Sequence, residues 1–469
     1  MARANKERTQ PQGSGDASLR RLASRFVQFT QAYSHHFKVA CQNVSDKARA
    51  YTTGLVMKAS RKNMERMEEY VQDCEYQSLQ QFISDSPWDH EALNAHIAGD
   101  VNELLGGPEN VLALDESGFT KKGKRSVGVA RQWNGRLGKT DNCQVGVYAA
   151  LSDGVQASIV DFRLYLPREW TEDKQRCLNA KIPEEQCGFK TKPQLALEMV
   201  EAAQANGLSF GWVAMDAFYG QVPECVRDID RSGLNFVADV HRDQMVYTED
   251  PRPYLPRRKN RQGRKPTRLR ARTEGIRVDE LFKEEPRASW HTIRVREGTK
   301  GTVFVRARRR RVWLWDGEET TARNWWLVFL NDPLTGELKY FISNAKAAVT
   351  LTTLVQKHAT RFWIERAFQD GKTSVGMADY QTRGWIAWHH HMSLVMLALL
   401  FLLKERLLHQ QDVALLSCQD IVELLNHFLS RTDATEQAVL ANLKRRHLTR
   451  QRDIDSAYRK QQKQLIHDA

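Results

Sequence analysis

The stretch that most constrains this chain is H-A-T-R-F-W-I-E-R-A-F-Q-D-G-K, from His358 to Lys372. It holds no proline, so its pattern predicts a helix, with Gly371 as the stop. Residues three, four and seven apart share a helix face. His358, Arg361, Glu365 and Lys372 therefore fall on one stripe, with two permanent cations and one carboxylate. An ordinary solvated ion-pair face carries the same groups. The rest of the chain sets this stripe apart. Asp115 closes the apolar run Val111-Leu112-Ala113-Leu114, and Asp216 closes Gly211-Trp212-Val213-Ala214-Met215. Turn chemistry at a strand end accounts for either aspartate singly. Together they lack a third carboxylate, and Glu365 supplies it.

At 469 residues the chain is long enough for two or three domains. Its formal charge of +13 favours a polyanionic partner, nucleic acid first and an anionic membrane second. The longest strongly apolar run, Leu394–Leu403, has about half the length a bilayer crossing needs. Residues 1–17 are polar, read as a disordered tail, and lack the apolar centre of a signal peptide. The 7 cysteines include no C-x-x-C pair, which predicts the reduced thiols of a cytosolic protein and no zinc site.

Residues 18–107 read as helical, with Leu19, Leu22, Phe26 and Phe29 recurring at three- and four-residue steps. Lys and Arg between the apolar positions fit a helical module that grips DNA, or an amphipathic bundle with solvated lysines. Gly106-Gly107-Pro108 ends it. Over 108–240, strands are expected at Cys143–Leu151, Ser158–Leu166, Gly211–Met215 and Asn235–Val240, with helices at Lys192–Asn206 and Val222–Arg231. This is an α/β rhythm: a mixed sheet with helices on its faces. Over 241–345 the rhythm gives way to basic, Trp-bearing β structure, with strands at Thr292–Arg296, Thr302–Ala307, Val312–Trp315, Trp325–Leu330 and Lys339–Ser343. From Arg252 to Arg272 there are ten Lys/Arg, three prolines and no acid. A run without any balancing acid points to nucleic-acid contact through Arg257, Arg258, Lys259, Arg261, Arg264 and Lys265. Residues 346–410 bring the Glu365 helix and an apolar core helix from Trp385; residues 411–469 are helical, with a basic end.

Three carboxylates from distant parts of a chain can converge on two divalent cations. Mg²⁺ prefers oxygen ligands and keeps several waters, so few protein ligands suffice. Two such ions stabilise both the attacking and the leaving oxygen of a phosphodiester displacement. Arg361 and Lys372 suit phosphates, Arg as a planar fork and Lys as a point charge.

On these residues the sequence resembles the bacterial insertion-sequence transposases of the DDE superfamily with a Tyr–Arg–Glu–Lys signature. Arg361, Glu365 and Lys372 keep the signature's spacing, while His358 stands where the family has Tyr. Leu-Ala-Leu-Asp115-Glu-Ser-Gly and Val-Ala-Met-Asp216-Ala-Phe-Tyr-Gly match the two aspartate motifs. Asp379-Tyr380 and Arg383-Gly384-Trp385 with His389-His390-His391 look like the sequence that follows the Glu helix. The resemblance implies a ribonuclease-H-like catalytic core interrupted by a β-rich insertion domain, with helical N-terminal and C-terminal regions. Asp115, Asp216 and Glu365 would hold two Mg²⁺ ions, replaceable by Mn²⁺, and His358, Arg361 and Lys372 would meet DNA. It also implies cut-and-paste transposition through a hairpin, on double-stranded terminal inverted repeats and target DNA. The protein would act as a homodimer or higher synaptic oligomer in the bacterial cytoplasm, at the nucleoid. A hairpin needs a flipped base parked on an aromatic ring, for which Trp325 and Trp326 are candidates. Adjacent helical residues point about 100° apart, so the His389–His391 run does not face one ion. The rival readings are another ribonuclease-H-like nuclease and a domesticated DNA-binding protein without catalysis.

Overall fold

The computed structural model describes residues 18–39, 42–135, 137–257, 265–284, 290–298, 301–429 and 435–467. Of the expected basic contacts, Arg258, Lys259, Arg261 and Arg264 lie outside these residues, while Arg257 and Lys265 are described and exposed.

Helices come first: α1 (Leu22–Ala32), α2 (Ser45–Val56), α3 (Met64–Tyr70), α4 (Tyr76–Ser84) and α5 (His90–Leu105). The strands that follow are β1 (Val111–Thr120), β2 (Ala130–Asn134), β3 (Lys139–Ser152), β4 (Ala157–Leu164), β5 (Trp212–Met215) and β6 (Asn235–Asp239). The helix α6 (Lys192–Ala205) precedes β5, and α7 (Pro223–Arg231) links β5 to β6. A reciprocal capping box between Thr191 and Gln194, with Pro193 in the first turn, starts α6. Strands β7 (His291–Gly298), β8 (Gly301–Leu314), β9 (Arg323–Asn331) and β10 (Leu338–Ser343) form an antiparallel meander. The helices α8 (Leu351–Ala359), α9 (Phe362–Ser374), α10 (Trp385–Leu408), α11 (Cys418–Phe428) and α12 (Glu436–His467) complete the chain.

All ten of these strands belong to one mixed sheet, in the order β7-β8-β9-β10-β6-β5-β1-β3-β2, with β4 also on β3. The 14 residues of β3 are long enough to pair β1 along one edge and both β2 and β4 along the other. Only β1–β5 and β5–β6 are parallel. The meander joins the central strands through β10 against β6, so the basic β segment continues the same sheet. The turn between β9 and β10 follows the sequence: Asp332 Oδ1 accepts from the Leu334 and Thr335 amides, and Gly336 takes a positive φ of 72°.

Two of the sequence expectations change here. The two strands expected at 302–307 and 312–315 are one strand, β8, paired with β9 in unbroken register from Arg306↔Asn331 to Leu314↔Arg323. The arginines between them do not break it, because Arg308 lies against Phe282, Trp290 and Phe329, and Arg309 lies over Trp326. The single helix expected across His358–Lys372 is two, α8 and α9, joined at Thr360 and Arg361. There the Thr360 hydroxyl bonds back to the Gln356 carbonyl at 3.0 Å, and three-residue bonds such as Ile364 N to Arg361 O tighten the chain.

Helix α10 is the centre of the helical layer. Of its 24 residues 19 are buried, which explains a sequence apolar on every side. By length and composition it could cross a membrane, yet 94% of its most apolar window lies inside the protein. The N-terminal helices wrap it and are pinned by polar contacts: Arg25 forks onto Glu405 at 2.8 and 2.6 Å, and Lys404 reaches Asp100 at 2.6 Å. The triple histidine lies along α10, and its rings diverge. His389 Nδ1 meets the Trp385 carbonyl, His390 Nδ1 the Ile83 carbonyl, and His391 Nδ1 the Tyr51 hydroxyl.

Candidate active site

The site is a row of aspartates set by sheet register. Ala113 pairs Ala214 across β1 and β5, so two residues on, Asp115 stands beside Asp216. Ala214 pairs Val237 across β5 and β6, so Asp216 stands beside Asp239. Side chains two apart share a sheet face and neighbouring strands lie about 4.8 Å apart. The three carboxylates therefore line one edge of one face, toward the carboxyl ends of three parallel strands. Asp115 does not end its strand as expected: β1 runs on to Thr120, because residues from Asp115 onward keep pairing β3. Asp216 does follow the last residue of its strand, and its Oδ1 accepts from the Phe218 and Tyr219 amides at 2.9 and 3.3 Å. Glu116 points to the other face, where Lys192 and the Tyr219 hydroxyl hold it at 2.7 and 2.9 Å.

Helix α9 lies over this row and starts with its cation. Arg361 sits 3.8 Å from Asp115, 3.6 Å from Asp239 and 3.3 Å from Glu365. Burial opposes its charge, and Asp239, Asp115, Glu365 and Asp216 together keep it protonated with its pKa raised. Glu365, one turn along α9, has a side chain 53% exposed and is the most open carboxylate of the site. His358 stands on α8 and not on the Glu365 helix. Its Nε2 is 2.5 Å from Asp239, and its ring stacks on Phe341 at 4.3 Å. That nitrogen is taken up by Asp239. The Lys372 ammonium lies 5.5 Å from the centre of the Phe119 ring, farther along β1.

Asp239 is the site residue that sequence reading left unassigned. Its signal was present: Asn235-Phe-Val-Ala-Asp239 repeats the apolar-run-then-aspartate texture of Asp115 and Asp216. Burial works against its charge, but His358 and Arg361 hold its carboxyl below the ordinary value. Asp115 behaves in the opposite way. Burial first, and Asp216 second, push it up from 3.8 to about 7, with Arg361 compensating only in part. Asp216 is raised as well, mainly by burial.

These groups fit a hard divalent cation. The donors are carboxylate oxygens, and more negative charge is gathered in a desolvated place than Arg361 balances. Among the described residues Asp115, Asp216 and Glu365 are not drawn into one tight ligand set. Arg361 stands among them, and the exposed Glu365 is the member with room to close.

The two expected stacking rings differ. Trp325 is 6% exposed and packs edge-on against Phe236 at 5.0 Å. Trp326 is only partly buried and carries the guanidinium groups of Arg309 and Arg311 at 4.0 and 5.0 Å.

Comparison with known proteins agrees with this geometry. Residues 32–302, more than half of the chain, match the family described as DDE superfamily endonuclease. The matched stretch includes Asp115 and Asp216 and ends before α9. Over 232 residues the chain is 28% identical to a protein of Microchaete diplosiphon described as "Probable transposase for insertion sequence element IS701". That alignment covers 48% of this chain, and the chain spans 57% of the relative's length. With all three aspartates of the row inside the matched region, the chain belongs to the DDE superfamily endonuclease family.

Proposed function

We propose that this chain is a bacterial insertion-sequence transposase, cutting DNA at the ends of its element and joining those ends to target DNA. The observation that carries the reading is the convergence of Asp115, Asp216 and Glu365 on Arg361, where helix α9 lies over the row of aspartates. The strand order β4-β3-β1-β5-β6 supports a ribonuclease-H-like core, with the basic strands β7 to β10 inserted between the second aspartate and the glutamate. The transposase description of the relative points the same way. We take residues 18–107 and 411–469 as helical regions flanking that core.

Asp115, Asp216 and Glu365 would hold two Mg²⁺ ions, or Mn²⁺ in their place. Such ions supply charge stabilisation at the attacking and leaving oxygens. The protein's own part is to place the strand. Arg361, released from its carboxylates, forks onto a backbone phosphate, and Lys372 meets the next as a point charge. Asp239 and His358 set the direction from which Arg361 reaches. Water cuts first and frees a 3′-hydroxyl; that hydroxyl attacks the opposite strand, and the resulting hairpin is reopened before transfer. Trp326 is the more open of the two rings for a flipped base. Two element ends imply at least a dimer, working on the chromosome in the bacterial cytoplasm.

The test is a labelled duplex built from the DNA flanking this gene, incubated with Mg²⁺ and resolved on a denaturing gel. Nicks followed by hairpins are expected. Wild-type protein that binds this duplex without cutting it in Mg²⁺ or Mn²⁺ overturns the catalytic reading. Nicks and double-strand breaks with no hairpin remove the hairpin route alone.

A further inference from the structure

A second cluster of ligating side chains lies far from the aspartate row in sequence and in chemistry. His35 and His36 sit in the one-turn helix Ser34–Phe37 that follows α1, and His96 sits on α5. One nitrogen from each of the three rings can be chosen so that all lie within 4.8 Å of one another. We infer that His35, His36 and His96 form a binding site for a borderline divalent transition-metal ion, Zn²⁺ foremost.

The distances fit with small adjustments. Zinc holds imidazole nitrogens at about 2.0–2.1 Å, so tetrahedral ligands stand roughly 3.4 Å apart. His36 Nε2 and His96 Nδ1 are now 2.8 Å apart, sharing one proton. Opening that pair by about half an ångström, with the shared proton moved to His36 Nδ1, frees both nitrogens for the ion. His35 and His96 are exposed, so ring rotation closes the remaining distance and water fills the fourth position.

Two of these rings have surroundings like those of metal-bound imidazoles, whose second nitrogen faces a carbonyl or a carboxylate. His35 Nδ1 meets the Ala32 carbonyl at 3.0 Å, which leaves Nε2 as its free nitrogen. His96 Nε2 lies 3.6 Å from Asp100 Oδ1, which leaves Nδ1 facing His36. Asp100 is itself fixed by Lys404 at 2.6 Å and the Tyr33 hydroxyl at 2.7 Å. Three surface imidazoles that merely stack need no such carboxylate behind them. Imidazole donors select Zn²⁺, Cu²⁺ or Ni²⁺ and not Mg²⁺, so this site and the aspartate row do not compete for one ion. Bound metal would tie the turn after α1 to α5, where the N-terminal helices meet α10.

The experiment uses the full chain, free of any histidine tag and stripped with chelator. Zinc is titrated by calorimetry, and stoichiometry is read by native mass spectrometry. One Zn²⁺ per chain with a micromolar or tighter Kd is expected, with no heat from Mg²⁺ at these residues. His35→Ala and His96→Ala should each weaken zinc at least tenfold. Asp100→Asn should weaken it by about 10–100-fold through the His96 orientation. His35 is exposed, so His35→Ala with an unchanged Tm in chelator separates lost ligation from lost folding. Zinc uptake that is absent in the wild type, or equal in wild type and His35→Ala, overturns the site and leaves an adventitious ion only.

Discussion

Replacing Asp115 by Asn should stabilise the metal-free protein while abolishing DNA cleavage. Asn keeps the size of the side chain and the oxygen that accepts from Glu116 N at 2.8 Å, but removes the charge. In the folded chain burial and Asp216 raise this carboxyl from 3.8 to about 7. A folded-state value above the unfolded one means that the favourable contribution is complete below 3.8 and is lost as pH rises towards 7. Integrated to pH 8, the ionised carboxylate costs about 4 kcal/mol; at pH 4.5 the cost is only about 1 kcal/mol. The side chain is 15% exposed, so solvent screening removes little of this. Urea denaturation in EDTA reads the difference directly. The gain of Asp115→Asn should grow between pH 4.5 and 7 and level off above. Millimolar Mg²⁺ should then raise wild-type stability and leave the variant unchanged. An Asp115→Asn protein less stable than wild type at pH 8 in EDTA would falsify the reasoning. Asp115 would then be a structural strand residue.

Other consequences are open to direct measurement. Asp239→Asn removes the carboxylate that holds both His358 and Arg361. It should cost about 3–5 kcal/mol in urea denaturation at neutral pH, as breaking a buried pair does. Because the Asp239 carboxyl is depressed, the wild-type advantage should be full above its ordinary value of 3.8 and shrink as pH falls below it; a pH-independent difference would count against the pair. Arg361→Ala should slow hairpin formation more than first-strand nicking on the same gel, and an equal loss at both steps would remove its phosphate role. Neutralising Arg257, Arg258, Lys259, Arg261, Arg264 and Lys265 together should flatten the salt dependence of DNA binding. Each lost phosphate contact lowers the logarithmic slope by about 0.9; an unchanged slope makes the segment a solvated loop.

Several features of this protein were determined by local sequence. Apolar runs closed by aspartate placed Asp115 and Asp216, and helical spacing put Arg361 one turn before Glu365. The all-round apolar character of α10 marked it as core. These depend on period, burial and end chemistry, each of which acts within about ten residues. The tertiary structure decided the rest. Asp239 carries the same local signature as its two neighbours, but only the pairing of β5 with β6 puts it in their row. The bend at Thr360 has no proline or glycine to announce it, and it sends His358 to Asp239 and Arg361 to Asp115. The arginines of β8 looked like a break between strands until rings from other elements were placed against them. Lysines among the N-terminal helices were compatible with a DNA grip or a packed bundle; the contacts of Arg25 and Asp100 with α10 join residues more than three hundred apart. Register, ring stacking and buried ion pairs of this kind are formed between segments, so no window of sequence contains both partners.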